Sequence, residues 1–259
     1  MEWYIYLLVI AAGALAGFIN TLAGNGSLIT LPLLIFLGLP ANVANGTNRV
    51  AILMQTATSV TRYRKTGQLN VRHGLILSIP AVIGAVLGAQ IAVSINEQLL
   101  RLIIGILMVA MLGLLLARPK RWLQGREETI AQKPGIGQMV ALFFVGMYGG
   151  FIQVGVGVFL LAALVLGVGY GLKGMANPIK NLIVLCFTIL ALLIFVLNDQ
   201  VEWVIGIILG LGNMVGAWIA VKVPAEKYAN HIRWLLIIMV AASAIKLLGV
   251  WDFLIDQAG

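Results

Sequence analysis

Charge is what this 259-residue sequence has least of: Asp, Glu, Lys and Arg make up 10% of it, against 61% hydrophobic residues. An ordinary globular domain is roughly a quarter charged, so water is not the main solvent of this chain. Carboxylates are scarcest of all. The nine are Glu2, Glu97, Glu127, Glu128, Asp199, Glu202, Glu226, Asp252 and Asp256, each at a chain end or in a polar break, and none falls inside an apolar run. The single cysteine, Cys186, excludes an intrachain disulfide and gives no sign of an oxidising compartment. His73 and His231 both sit in basic loops, and no spacing suggests a metal site, a nucleophile with its base or a phosphate loop. The Gly-x-Gly pairs at 24–26 and 155–157 follow no strand, as a dinucleotide site would require. The expectation is therefore no enzyme, no cofactor and no metal. Seventeen Lys and Arg give a net charge of +8, but they flank apolar runs, which marks cytoplasmic loops and argues against nucleic acid.

What is present is apolar sequence in segments. Runs fall at 3–22, 26–38, 48–61, 74–94, 99–117, 135–153, 156–168, 181–197, 203–221 and 232–250. About 20 apolar residues of helix cross a bilayer, so the expected fold is all-α and polytopic, five segments followed by five. The Met-Glu-Trp-Tyr start has no base ahead of its apolar stretch, so the first run reads as a span that is kept and not as a signal peptide. Trp3, Tyr4, Tyr6, Trp122, Trp203, Tyr228, Trp234 and Trp251 lie near run ends, where interfacial anchors belong.

The second five segments echo the first. Gly17-Phe18-Ile19-Asn20 recurs as Gly150-Phe151-Ile152-Gln153, Gly24-Asn25-Gly26 as Gly155-Val156-Gly157, and Asn48-Arg49 as Lys180-Asn181. Gly88 to Val93 answers to Gly216 to Val221, and Arg101 to Arg233. Order and near-constant spacing point to duplication. Residues 1–117 and 135–259 then form two membrane repeats joined by a cytoplasmic linker at 118–134. Arg62, Arg64, Lys65 and Arg72 place one connection inside, as do the linker bases and Lys222, Lys227 and Arg233. Asp199 and Glu202, with no base beside them, place another outside. Matched loops thus face opposite sides, which predicts inverted repeats. Runs of 26–38 and 156–168 are short for a crossing, and broken or re-entrant helices are expected there.

Asn20-Thr21-Leu22-Ala23-Gly24-Asn25-Gly26-Ser27 interrupts apolar sequence with amides, hydroxyls and glycine. Irregular backbone is tolerated at membrane depth only where protein buries it or it lines a wet cavity; a surface loop with a helix cap is the alternative. Asn42, Asn45, Thr47, Asn48 and Arg49 enter one run, and Asn177, Pro178, Lys180 and Asn181 enter another. No span carboxylate is available to neutralise Arg49 or Lys180, so an anionic substrate is one source of counter-charge. Snorkelling to headgroups is the other use of such bases. Thr30, Gln55, Thr56, Thr58, Ser59, Gln90, Gln153, Thr188, Asn213 and Lys246 are weaker candidates. Gly84 with Gly88 and Gly212 with Gly216 have small-xxx-small spacing, for which packing inside the chain is favoured over a homodimer. The Asn45-Gly46-Thr47 sequon is discounted.

The stretch from Gly17 to Ile52, with Gly-Phe-Ile-Asn-Thr-Leu-Ala-Gly-Asn-Gly-Ser, Pro40 and Asn45-Gly-Thr-Asn-Arg49, resembles the TauE/SafE sulfite exporter family. The resemblance implies a bacterial inner-membrane secondary transporter of sulfite or organosulfonates, often an exporter. It carries Asn20, Gly24, Gly26, Asn48 and Arg49 over as first-half substrate residues, and Gly155, Gly157, Lys180 and Asn181 as their second-half partners. Asn25 joins the set from the break itself. Val156 replaces the amide of Asn25, which puts symmetry of the site in doubt. An anion channel, or a membrane subunit anchoring a soluble partner, are the alternatives.

Overall fold

The computed structural model describes residues 2–117, 135–168, 175–223 and 225–247. The expected linker at 118–134 lies outside them, with Trp122, and so do Trp251, Asp252 and Asp256. Ten α-helices follow in order: α1 (Trp3–Ala23), α2 (Ser27–Phe36), α3 (Ala41–Lys65), α4 (Val71–Ser94), α5 (Glu97–Leu116), α6 (Ile136–Phe151), α7 (Val156–Ala162), α8 (Ala176–Leu197), α9 (Trp203–Ala220) and α10 (Ala225–Leu247). A π-helical stretch, Ala163–Val168, continues α7. The described residues contain no strand. Local sequence sets several of these ends. The side chains of Asn70 and Asn96 accept from the backbone N–H of His73 and Leu99 and start α4 and α5, supplying partners that a helix start otherwise lacks.

Five helices, α1, α4, α5, α8 and α9, are long and apolar enough to cross a membrane. The short helices expected at 26–38 and 156–168 are α2 and α7. The run expected from 48 begins earlier, at Ala41, because α3 is a 25-residue helix whose polar residues turn inward. Asn45, Thr47, Asn48, Arg49, Gln55, Thr56 and Ser59 are all buried, so α3 hides inside the bundle a face that reads as a loop on paper. The matching helix α8 is the most enclosed of those five, with 67% of its most apolar stretch buried against 28% for peripheral α5.

Glycine determines how closely the helices approach. The open faces of Gly13 and Gly17 on α1 are filled by Leu209 and Asn213 of α9, while those of Gly212 and Gly216 are filled by Ile10, Ala14 and Phe18. The same interlock joins α4 to α6: Gly84 and Gly88 meet Phe143, Met147 and Phe151, and Gly146 and Gly150 meet Ala81 and Ala85. Residue numbers rise together in both pairs, so each pair is parallel. Gly206 and Gly210 of α9 run parallel along Thr47 to Met54 of α3. Gly46 of α3 meets Phe195 and Gln200, whereas Gln55 and Ser59 lie at Asn181, so α3 and α8 are antiparallel. Exchanging the first five helices for the second maps α1 with α9 onto α6 with α4, and α3 with α9 onto α8 with α4. Each set of five thus packs mainly through the other.

Two substitutions separate packing from propensity. Gly88→Leu drives a side chain into the backbone carbonyl of Met147 and is expected to abolish the monodisperse peak in detergent size-exclusion chromatography. Gly113→Ala on α5 meets nothing within 4 Å, and is expected to hold or raise the melting temperature, since alanine is better in a helix by about 1 kcal/mol.

Candidate functional site

The site begins where two helices stop. Gly24 takes a left-handed φ of 79° and its N–H returns to the Asn20 carbonyl at 2.9 Å, which ends α1; α2 restarts at Ser27. In the other half Ile152 is extended, Gly155 takes φ 69°, and α7 starts at Val156. Positive φ is nearly free for glycine and strained for other residues. The two breaks touch, for a Cβ on Gly24 would strike the backbone of Gly157 and the converse holds as well.

A helix that stops leaves its last four carbonyls without intrahelical donors and about half a negative charge at its end. At the end of α6 the missing donors come from α3. Arg49 gives Nη1–H to the Gly149 carbonyl at 3.2 Å and Nη2–H to those of Gly150 at 2.6 Å and Phe151 at 3.4 Å; Asn45 adds its amide to Phe151 at 2.8 Å. At the end of α1 they come from α8. Lys180 Nζ donates to the carbonyls of Asn20 at 3.0 Å and Thr21 at 2.9 Å and to Asn177 Oδ1 at 3.1 Å, and Asn181 Nδ2 donates to Thr21 at 3.3 Å. Each half thereby sends its cation to the broken helix of the other. Arg49 is 0% and Lys180 1% exposed, so neither snorkels, and their partners are carbonyl and amide oxygens instead of carboxylates.

A small cavity of about 10 Å³, room for about one water, lies between the breaks. Asn20, Gly24 and Ser27 line it from the first break, and Gln153, Val156 and Gly157 from the second; Ile52 and Thr56 come from α3, and Lys180, Asn181 and Val184 from α8. Of the expected site residues, Asn20, Gly24, Gly157, Lys180 and Asn181 are therefore brought together. Asn48 stands one layer back, accepting from Thr30 at 2.6 Å and donating to Ser27 Oγ at 3.3 Å. Gly26 fits against the Ala16 carbonyl and Asn20, Gly155 faces Met111, and Asn25 is buried with its Oδ1 unpartnered. Arg49 does not line the cavity; its guanidinium lies 4.5 Å over the Phe195 ring.

Hydrogen bonds behind the lining residues fix the wall. Asn20 Nδ2 donates to Gln55 Oε1 at 2.6 Å, Gln55 Nε2 to Thr21 Oγ1 at 3.2 Å, and Ser59 Oγ to Asn181 Oδ1 at 3.1 Å. Thr56 and Gln153 turn out to line the cavity although sequence ranked them low, and Ile52, Val156 and Val184 carried no signal, being aliphatic among many. The remaining weak candidates go elsewhere: Thr58 bonds the Met54 carbonyl of its own helix, Gln90 is exposed, and Lys246 lies over Phe36.

Two parallel pairs, two glycine breaks and a cation-lined cavity define a membrane protein with an internal polar site. The chain belongs to the sulfite exporter TauE/SafE family, whose model matches residues 9–247, and it is thus a membrane transporter by family. It is 27% identical over 249 residues to a probable membrane transporter protein of a Sinorhizobium species, covering 96% of this chain and 94% of the relative. Probable membrane transporter proteins of Haemophilus influenzae (27%, 90% of each chain) and of Xylella fastidiosa Temecula1 (29%, 91% of this chain and 93% of the relative) are similar along their length. No solved structure matches the chain.

The cation caps make a stability prediction. Arg49→Met strands the Gly149 and Gly150 carbonyls at the end of α6, with Asn45 left on Phe151, and is expected to cost about 3 kcal/mol, as for other buried charged partners. Lys180→Met leaves Asn181 on Thr21 and is expected to cost less, about 2 kcal/mol. Denaturant unfolding in detergent measures both, and equal, negligible losses would contradict the capping role.

Proposed function

We propose that this chain is a secondary transporter that moves small sulfur oxyanions, sulfite or organosulfonates, across the bacterial inner membrane, in the export direction. The observation that carries the reading is a cavity between the two halves that holds a fully buried lysine and no carboxylate. A cation in a low-dielectric site needs an opposite charge nearby, and the carbonyls at the end of α1 offset only about half of it. A small anion supplies the rest. The Ser27 hydroxyl, which accepts from Asn48, and the second amide N–H of Asn20 are placed to donate to its oxygens, and the start of α2 adds the positive end of a helix dipole. Arg49 raises the local potential from behind the second break.

Inverted duplication gives such a site its means of opening to each side in turn. Supporting it are the recurring motifs, the exchange-symmetric packing of the two sets of five, and the opposed directions of α3 and α8. In this reading α1 with α9 and α4 with α6 rock as rigid pairs, each fastened by its glycines, and the contact of Gly24 with Gly157 closes the path between them. A homodimer is not needed to complete the cavity.

Uptake of labelled sulfite and methanesulfonate by proteoliposomes tests the proposal. Saturable uptake is expected from the native protein, with no uptake by folded Lys180→Ala. For Ser27→Ala the expectation is a KM raised about tenfold, the equivalent of one charge-assisted hydrogen bond. Arg49→Ala is expected to lower the yield of folded protein more than the activity per folded molecule. Failure of either anion to move under any gradient would sink the assignment. Unitary currents would instead favour a channel.

A further inference from the structure

The charges around the cavity limit what it can hold. One ionised side chain, Lys180, lines it, and every other lining residue is an amide, a hydroxyl, an aliphatic residue or a glycine. Arg49, the one other buried cation among the described residues, is turned away to the carbonyls of Gly149 to Phe151. The charge of Lys180 is itself partly offset, since its ammonium donates to Asn20, Thr21 and Asn177 at the negative end of α1. A ligand with one negative charge therefore meets one cation. A ligand with two brings a second charge into a desolvated space with nothing to pair it, where unpaired charge is penalised most.

The second observation concerns Gln153. It is 2% exposed and lines the cavity, its Nε2 donates to Thr188 Oγ1 at 2.8 Å, and its Oε1 is buried without a donor. A buried acceptor repels a bare oxyanion oxygen and is satisfied by a ligand O–H or N–H.

Building on the anion-transport reading above, we infer that the cavity selects a single negative charge: hydrogen sulfite with its O–H on Gln153, or a monosulfonate, in preference to the sulfite dianion, sulfate or a disulfonate. Each hydrogen sulfite that crosses and dissociates on the far side delivers one sulfite and one proton. The proton thus crosses on the substrate, and the described spans need no carboxylate to relay it.

The test uses the full-length protein in liposomes, with protein-free liposomes measuring leak. Labelled sulfite and labelled methanesulfonate are followed across the pH range in which hydrogen sulfite loses its proton, with ethane-1,2-disulfonate as competitor. Methanesulfonate stays a monoanion throughout, so its rate reports the state of the protein alone. The ratio of sulfite to methanesulfonate rate is expected to fall about tenfold per pH unit above the hydrogen sulfite pKa. Disulfonate is expected to leave both rates unchanged, and Gln153→Leu to slow sulfite several-fold more than methanesulfonate. A ratio that stays level or rises with pH overturns single-charge selection while leaving anion transport intact, as does disulfonate competing as well as unlabelled methanesulfonate. Equal slowing of both anions by Gln153→Leu overturns the assigned acceptor. No transport of either anion at any pH overturns both this inference and the reading beneath it.

Discussion

A helix that ends inside a membrane protein exposes carbonyls where no water can reach them, and the structure turns on how those carbonyls are met. Glycine makes the turn out of α1 and the turn into α7 sterically possible, but it supplies no hydrogen bonds in return. Lys180 and Arg49 supply them, with charge opposite in sign to the helix end. This solution has consequences for the rest of the chain. A buried cation must be carried on an enclosed stretch of helix, so residues 44–52 of α3 and 176–184 of α8 are buried throughout, and the apolar helices α4 and α9 pack along them on glycine. Because the counter-charge is a helix end and not a carboxylate, each pair keeps a positive excess. At Lys180 that excess is the feature on which the proposed anion site rests.

The two halves use this device with one difference. Asn48-Arg49 in α3 corresponds to Lys180-Asn181 in α8, so amide and cation exchange places along the sequence. The exchange shifts the charged side chain about 100° around its helix. Arg49 faces α6 and Phe195, whereas Lys180 faces the cavity with Asn181 beside it. One cation thus maintains the scaffold while its counterpart also serves the site. A scaffold close to symmetric thus encloses a cavity that is not.

Much of this was legible in the sequence. The Gly24 to Gly26 and Gly155 to Gly157 breaks, the short helices after them, the ten segments and one cation at matched positions in each half follow from residue order; that Arg49 and Lys180 are buried and do not snorkel comes from the packing. The start of α3 was not, since Asn42, Asn45 and Thr47 stand ahead of the apolar run at 48–61, and only packing shows that the helix begins at Ala41 and buries Asn45, Thr47 and Asn48. The carbonyl partners of Arg49 and Lys180 were equally hidden, being backbone atoms about 100 to 160 residues away. Charge without a visible partner suggested a ligand for both cations; for Arg49 the structure supplies backbone in its place. Ile52, Val156 and Val184 have no property that sets them apart from other aliphatic residues, and only the closing of the cavity selects them.

The central claim is that Lys180, and not Arg49, receives the charge of the substrate. It is tested most directly by an experimental structure determined with selenite, a heavier analogue whose anomalous scattering marks its position. The account predicts a single selenium peak within hydrogen-bonding distance of Lys180 and Asn181, between the two glycine breaks. A peak at the Arg49 guanidinium, or none inside the cavity while transport of selenite is saturable, would contradict it.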